Sequence, residues 1–227
     1  MKAIPVIAID GPAASGKGAV AQAVADKLVF HYLDSGAIYR AAALAVEFAE
    51  KDIDSPDLTE GEIANIAADM DLKFKGGEIW LSNHNITDSV RSEQCGKNAS
   101  KIAVLPALRA ALLDLQHSFR RAPGLVAEGR DMGTVVFPDA VLKIFLTASA
   151  EIRAERRHKQ LMEKGINANI ENLLYEIKLR DARDRERNIA PLRTGNDTVT
   201  IDTSALDLPQ SIAAVLKTYR SLAKAGA

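Results

Sequence analysis

Four consecutive apolar residues, Val6 to Ile9, form the first patterned stretch of the chain, and Val20, Val24 and Leu28 follow at intervals of four. The run is the length of a buried parallel strand and too short for a helix, whereas the four-residue spacing marks one face of a helix. Phe30 to Leu33 reads as a second short strand. It ends at Asp34-Ser35-Gly36, a cluster suited to cap a helix from Ala37 to about Glu50. A helical pattern spans Asp57 to Asp69, and then the period changes to two, through Leu72, Phe74, Ile79, Leu81 and Ile86. Turns at Gly76-Gly77 and Ser82 to Asn85 make this a small antiparallel meander inserted outside the main sheet. Helices follow over Asp88 to Ile102 and Pro106 to Ala122, with Pro106 placed as a first helical residue. Strands at Leu125 to Ala127, Val141 to Leu146 and Thr198 to Ile201 alternate with helices at Ala150 to Lys164, Ile170 to Arg187 and Pro209 to Lys224. Strands alternating with helices predict an α/β fold: a five-stranded parallel sheet, wound right-handed and flanked by helices.

Between the first strand and the first helix lies Gly11-x-x-x-x-Gly16-Lys17. Glycine lets the backbone turn sharply there and bring its N–H groups against phosphate oxygens. The following helix directs its positive end at the same anion, and Lys17 adds a point charge for the outer phosphates. A glycine turn with a stray lysine would lack the strand before and the helix after. The usual hydroxyl residue after the lysine, a Mg²⁺ ligand, is replaced by Gly18 and Ala19. That departs from hydrolysing GTPases and motor ATPases, as does the lack of Asp-x-x-Gly and Asn-Lys-x-Asp stretches. A Lys-Gly pair fits kinases in which water and the two substrates hold most of the metal's coordination sphere.

Composition narrows the picture a little further. With 227 residues, 47% of them hydrophobic, the chain can bury a substantial core, and its net charge of −1 argues for neither a nucleic-acid nor a membrane surface. A lone cysteine, Cys95, excludes an intrachain disulfide, and the first strand begins too early to leave room for a signal peptide. A cytoplasmic protein is expected. His31, His84, His117 and His158 show no metal-ligand spacing.

Arginine carries the remaining signal. Arg180, Asp184 and Arg187 stand at i, i+4 and i+7, on one helical face, where two guanidinium forks can hold phosphate and a carboxylate can hold a sugar hydroxyl. The same spacing also suits a self-neutralised ion-pair ladder. Arg40, just inside its helix, is equally a surface charge or a second anion contact. The loop Glu128 to Thr134 falls beyond the carboxyl end of a strand, where open α/β sheets bind ligands. A phosphate acceptor is largely dianionic at neutral pH, its second pKa being about 6, so it needs arginines and no base. A hydroxyl acceptor would need a base such as Asp34 or Asp131. An RNA-binding role lacks aromatic residues interleaved with the basic run, Tyr175 apart.

Four segments together closely resemble the bacterial cytidylate kinases, of the nucleoside monophosphate kinase family. They are Gly11 to Gly18, Leu33-Asp-Ser-Gly-Ala-Ile-Tyr-Arg40, Glu128-Gly-Arg-Asp-Met-Gly-Thr134 and Arg180-Asp-x-Arg-Asp-x-x-Arg187. The resemblance covers essentially the whole chain. It implies a P-loop kinase core (1–34, 103–150 and 190–227), a nucleotide-binding insert (35–102) that includes the meander, and a short helical lid (151–189). It implies transfer of the γ-phosphoryl of ATP to CMP or dCMP, with Mg²⁺ required but no side chain ligating it directly. By position, Gly11, Pro12, Ala13, Ala14, Ser15, Gly16, Lys17, Gly18 and Ala19 would hold the ATP phosphates, with Arg153 and Arg157 reaching the transferring phosphoryl from the lid. Arg40, Arg130 and Arg180 would clamp the acceptor phosphate beside Ser35. Ser100, Arg109 and Asp131 would read cytosine, whose amino donor and carbonyl acceptor suit a carboxylate and an arginine. Asp184 and Arg187 would hold the ribose, and Lys17, Arg130, Arg157 and Arg180 would carry catalysis. A monomer with small-molecule substrates, and no nucleic-acid or membrane partner, is expected. Ala19 stands where relatives often carry Thr, and Glu128 where many carry Asp.

Overall fold

The computed structural model describes residues 3–163 and 165–225, so the expected helix limit at Lys164 lies outside the described residues. Among these, the elements run β1 (Val6–Asp10), α1 (Lys17–Leu28), β2 (His31–Asp34), α2 (Ser35–Phe48), α3 (Glu60–Ala68), β3 (Leu72–Lys75), β4 (Glu78–Leu81) and β5 (His84–Asn85). Next come α4 (Glu93–Ile102), α5 (Pro106–His117), β6 (Leu125–Gly129), β7 (Leu142–Thr147), α6 (Ala150–Glu163), α7 (Ile170–Glu186), β8 (Thr198–Asp202) and α8 (Leu208–Ala225). Among the described residues no helix is long and apolar enough to cross a membrane.

The chain divides into two compact units, one within residues 1–33 and 119–227, the other Asp34–Ser118. In the first, a five-stranded sheet runs in the order β2-β6-β1-β7-β8. β1 pairs in parallel with both β6 and β7, and β7 with β8. All five residues of β1 and of β6 are buried, as a central parallel strand covered on both faces requires. Ile7, Ile9, Val126, Ile144 and Leu146 form one core with Val20 and Val24 of α1 and Val215 and Leu216 of α8. The four-residue spacing of α1 therefore marks the face that covers the sheet. A separate cluster of Ala154, Leu161, Leu173 and Ile177 joins α6 to α7.

In the second unit β3, β4 and β5 form the expected antiparallel meander, with Leu72 opposite Leu81 and Phe74 opposite Ile79. Ile79, Leu81 and Ile86 pack on Ala37, Ala41, Leu44 and Ala45 of α2. Asp34 caps α2, its carboxylate accepting the Ala37 N–H at 2.9 Å.

Several element limits differ from the sequence reading, each for a local reason. The helix expected from Asp57 starts at Glu60, because Thr59 and Glu62 close a capping box. The helix expected over Asp88 to Ile102 restarts at Glu93, where extended Ser92 accepts the Cys95 N–H. The helix from Pro106 ends at His117 rather than Ala122, and beyond it Arg120 bonds to the Ile4 carbonyl and Asp139. The second unit also extends to Ser118, past the expected insert limit at 102, because α5 packs with α3 and the Ala107 N–H donates to Glu60.

Candidate active site

The loop between β1 and α1 is bent by two residues in left-handed conformation, Ala14 at φ 57° and Gly16 at φ 84°. For glycine this costs nothing sterically; for Ala14 it is strain that the surroundings must hold in place. Gly11 is required for another reason, since a Cβ there would stand 2.1 Å from the Leu146 carbonyl oxygen of β7. The loop is thus pressed onto the end of the sheet. Ser15 Oγ is buried without a hydrogen-bond partner in the described structure, an orphaned polar atom within this tightly bent loop. Such a cradle fits a phosphate chain.

Lys17, the first residue of α1, places Nζ 3.4 Å from Glu128 Oε2, with both side chains nearly buried. The other oxygen of Glu128 accepts from the Tyr32 hydroxyl at 3.3 Å. A Cβ on Gly18 would lie 3.2 Å from Glu128 Oε1, so the residue after the lysine leaves room for this carboxylate.

The segment after β6, expected as a loop, is a single π-helical turn over Met132–Val136. Asp10 fixes its start: the Met132 and Gly133 N–H groups donate to its two carboxylate oxygens at 2.8 and 2.9 Å. Burial pushes the Asp10 carboxyl up to about 7, against the pull of those two N–H groups and of Lys17, while Asp131 adds to the rise. Asp10 went unnoticed in the sequence, although an acid closing a fully buried apolar run was the signal available.

Arg130 and Asp131, directly before that turn, meet α7. Arg130 Nε donates to Asp184 Oδ2 at 2.8 Å, and Arg187 Nη2 lies 4.0 Å from Asp131 Oδ1. Burial pushes the Asp184 carboxyl up, but Arg130, with Arg180 and Arg187, outweighs it and holds the group below the usual carboxylate range. Burial likewise works against the Arg130 charge, which Asp184, Glu128 and Asp10 more than restore. Arg130, Asp131, Arg180, Asp184 and Arg187 are therefore one charged cluster. It shares the field of Glu128 and Asp10 with Lys17.

The lid arginines differ from each other. Arg157 is half-buried and donates to Gln160. Arg153, expected to reach the phosphoryl group, is instead 3% exposed and bound to Asp181, to the Ala148 carbonyl and to the Ala13 carbonyl.

In the second unit, Arg40 Nη1 donates to the carbonyls of Val90 and Ser92 at 2.6 and 3.1 Å, which sets the plane of its fork. Arg109 lies over the Tyr39 ring, 5.8 Å from its centroid, and donates to the Ala103 carbonyl. Ser35 is buried and donates to Gln116, itself unforeseen and 1% exposed. Ser100 is half-buried on α4. Cys95 is buried, its thiol pushed up to about 11 by burial.

A parallel sheet with a glycine-rich phosphate loop on its central strand, an adjoining arginine–carboxylate cluster and a helical pair beyond it define a P-loop kinase. The family described as Cytidylate kinase matches residues 7–221, and the chain belongs to that family. A relative from Cupriavidus necator named cytidylate kinase is 52% identical over 222 residues, covering 98% of each chain. One from Nitrosomonas europaea, named likewise, is 49% identical, also covering 98% of each. A third, from Burkholderia mallei and of the same name, is 53% identical over 96% of this chain and 94% of its own.

Proposed function

We propose that this protein transfers the γ-phosphoryl group of ATP to CMP or dCMP, giving ADP and CDP or dCDP by in-line displacement without a covalent intermediate. The observation that carries the reading is the Arg130–Asp184 pair within a cluster that also holds Asp131, Arg180 and Arg187, electrostatically joined to the phosphate loop. Two polyanions are to be brought together there, and guanidinium groups offset their repulsion.

The loop from Gly11 to Ala19 receives the ATP phosphates, Ser15 Oγ gains an acceptor, and Lys17 leaves Glu128 for the outer phosphates. When bound with ATP, Mg²⁺ would supply positive charge to offset the charge developing on the phosphate oxygens. Glu128 is the carboxylate suited to orient a water on that ion. Arg130 exchanges Asp184 for the acceptor phosphate, assisted by Arg180 and Arg40, and Asp184 turns with Arg187 to the ribose. Ser100, Arg109 and Asp131 read the cytosine, Ser35 supports the acceptor phosphate, and Arg157 reaches the transferring group from α6. Closure of α6 and α7 excludes water, which would otherwise waste ATP. We infer further that the protein works as a monomer in the cytoplasm, where both nucleotides are at hand.

The test is ADP formation from ATP with CMP, dCMP, UMP, AMP or no acceptor, alongside sedimentation of the free protein. Rapid, Mg²⁺-dependent turnover with CMP and dCMP and little without acceptor is expected. Equal ADP release with no acceptor would overturn the reading.

A further inference from the structure

Arg153 joins three segments of the chain with one side chain: the start of α6, the phosphate loop and α7. Its Nε donates to the Ala148 carbonyl at the head of α6, at 3.0 Å. One Nη1 hydrogen goes to the Ala13 carbonyl of the phosphate loop and the other to Asp181 Oδ1 on α7, both at 3.0 Å. Nη2 donates to the second oxygen of Asp181. Four of the five N–H groups of a guanidinium are thus engaged, in a pair whose members are 3% and 5% exposed.

A second observation falls on the same joint. Ala14, next to Ala13 and held at φ 57°, packs against the cluster of Ala154, Leu161, Leu173 and Ile177 that unites α6 with α7. The strained turn of the phosphate loop is therefore held from one side by a carbonyl contact to Arg153 and by an apolar contact to both lid helices. Asp181 is flanked on α7 by Arg180 and Asp184, which belong to the charged cluster beside the loop.

We propose that the buried Arg153–Asp181 pair is the joint that registers α7 against the phosphate loop, making both of them positioning residues rather than ligands of the transferring phosphate. Arg180 and Asp184 stand one residue before and three after Asp181, so the joint sets their distance from Lys17. Displacements of about 1 Å between reacting groups are enough to lower turnover roughly 100-fold. A bidentate fork is needed for this work, and lysine, which serves well as a point charge toward phosphate, cannot replace it. The inference rests on the proposed ATP and CMP sites, and the experiment separates the two.

Asp181→Asn and the double variant Arg153→Met/Asp181→Leu are compared with wild type. The double variant replaces a buried ion pair by apolar groups of similar volume, a change that is often neutral for folding. Both are expected to lower kcat roughly 10- to 100-fold while KM for ATP and for CMP stays within about threefold, since the side chains proposed to touch the nucleotides are intact. Arg153→Lys should resemble Asp181→Asn rather than wild type. In the nucleotide-free protein, amide hydrogen exchange at Gly11 to Gly16 should accelerate in the double variant. Were Arg153 a phosphate ligand restrained by Asp181, Asp181→Asn would instead release it, and tighter ATP binding or faster turnover in that variant would overturn the proposal. Unchanged turnover and unchanged loop exchange in the double variant would do the same. A wild-type protein inactive toward CMP, whose loop exchange nevertheless accelerates in the double variant, would sink the proposed reaction and leave the joint standing.

Discussion

Arg130 Nε and Asp184 Oδ2 lie 2.8 Å apart, and this contact pins the loop after β6 to the last turns of α7. The pair neutralises two groups that the proposed reaction uses separately. Asp184→Asn removes the charge but keeps an acceptor, so Arg130 loses a charge-assisted bond worth about 1.5–3 kcal/mol. The expected result is a lower unfolding midpoint together with a raised KM for CMP and little change in KM for ATP. The Asp184 carboxyl is held below its ordinary value of 3.8. Its stabilising contribution is therefore complete above that pH and fades only as pH falls through the lowered value. Denaturant unfolding at several pH values checks the sign: the deficit of the variant should be full from pH 5 to 8.

Lys17→Ala removes the cation 3.4 Å from Glu128 and the charge proposed to meet the outer phosphates. Turnover should fall on the order of 10²–10³-fold, the size of losing one preorganised charge at a developing anion. Steady-state kinetics within threefold of wild type would remove Lys17 from the chemistry.

Asp10 offers a pH test with opposite signs for activity and stability. Its carboxyl is raised from 3.8 to about 7, so the folded protein keeps the proton over that interval while the unfolded chain releases it. Its contribution to stability is accordingly full below the unfolded value and declines as pH rises to about 7, by at most ~1.4 kcal/mol per unit. Activity runs the other way. A protonated Asp10 accepts more weakly from Met132 and Gly133 than the carboxylate does, so the turn that directly follows Arg130 and Asp131 loosens below pH 7. Asp10→Asn should show low kcat/KM without that step near 7, retaining only the titration of the CMP phosphate itself near ~6. Profiles of both proteins between pH 5.5 and 8.5 provide the comparison.

Asp131→Asn presents an N–H where a carboxylate accepted. The proposed reading of the cytosine amino group then weakens, and the carbonyl of uracil becomes a match. The ratio of CMP to UMP specificity should shift roughly 10-fold or more, about one charge-assisted hydrogen bond, with KM for ATP unchanged. An effect on ATP alone would overturn the assignment of Asp131.

The sheet and the meander were legible because their signals are local and periodic. Val6 to Ile9 could only be buried on both faces, and the alternation from Leu72 to Leu81 could only be a half-buried hairpin. The phosphate loop was legible because glycine at two fixed positions has few other uses. What escaped were residues whose meaning lies in a distant partner. Asp10 acts on backbone groups 122 and 123 positions away. Asp181 is buried against an arginine 28 residues earlier on another helix. Spacing along one helix cannot show which of its charges a neighbouring helix will cover. The limits of α3 and α4 were missed for the opposite reason: Thr59 and Ser92 end one conformation and begin another through single side-chain bonds, which periodicity averages away.

Gly11 sits directly on the main-chain oxygen of Leu146, and β7 at that point is hydrogen-bonded to β8 on its other side. The proposed nucleotide cradle consequently takes its footing from the main chain of β7. Damage to β8, far along the sequence and half open to water, would tilt that footing and impair donor binding without touching a single contact residue. In a survey of inactivating substitutions, lesions there would look like unexplained kinetic defects in otherwise well-folded protein.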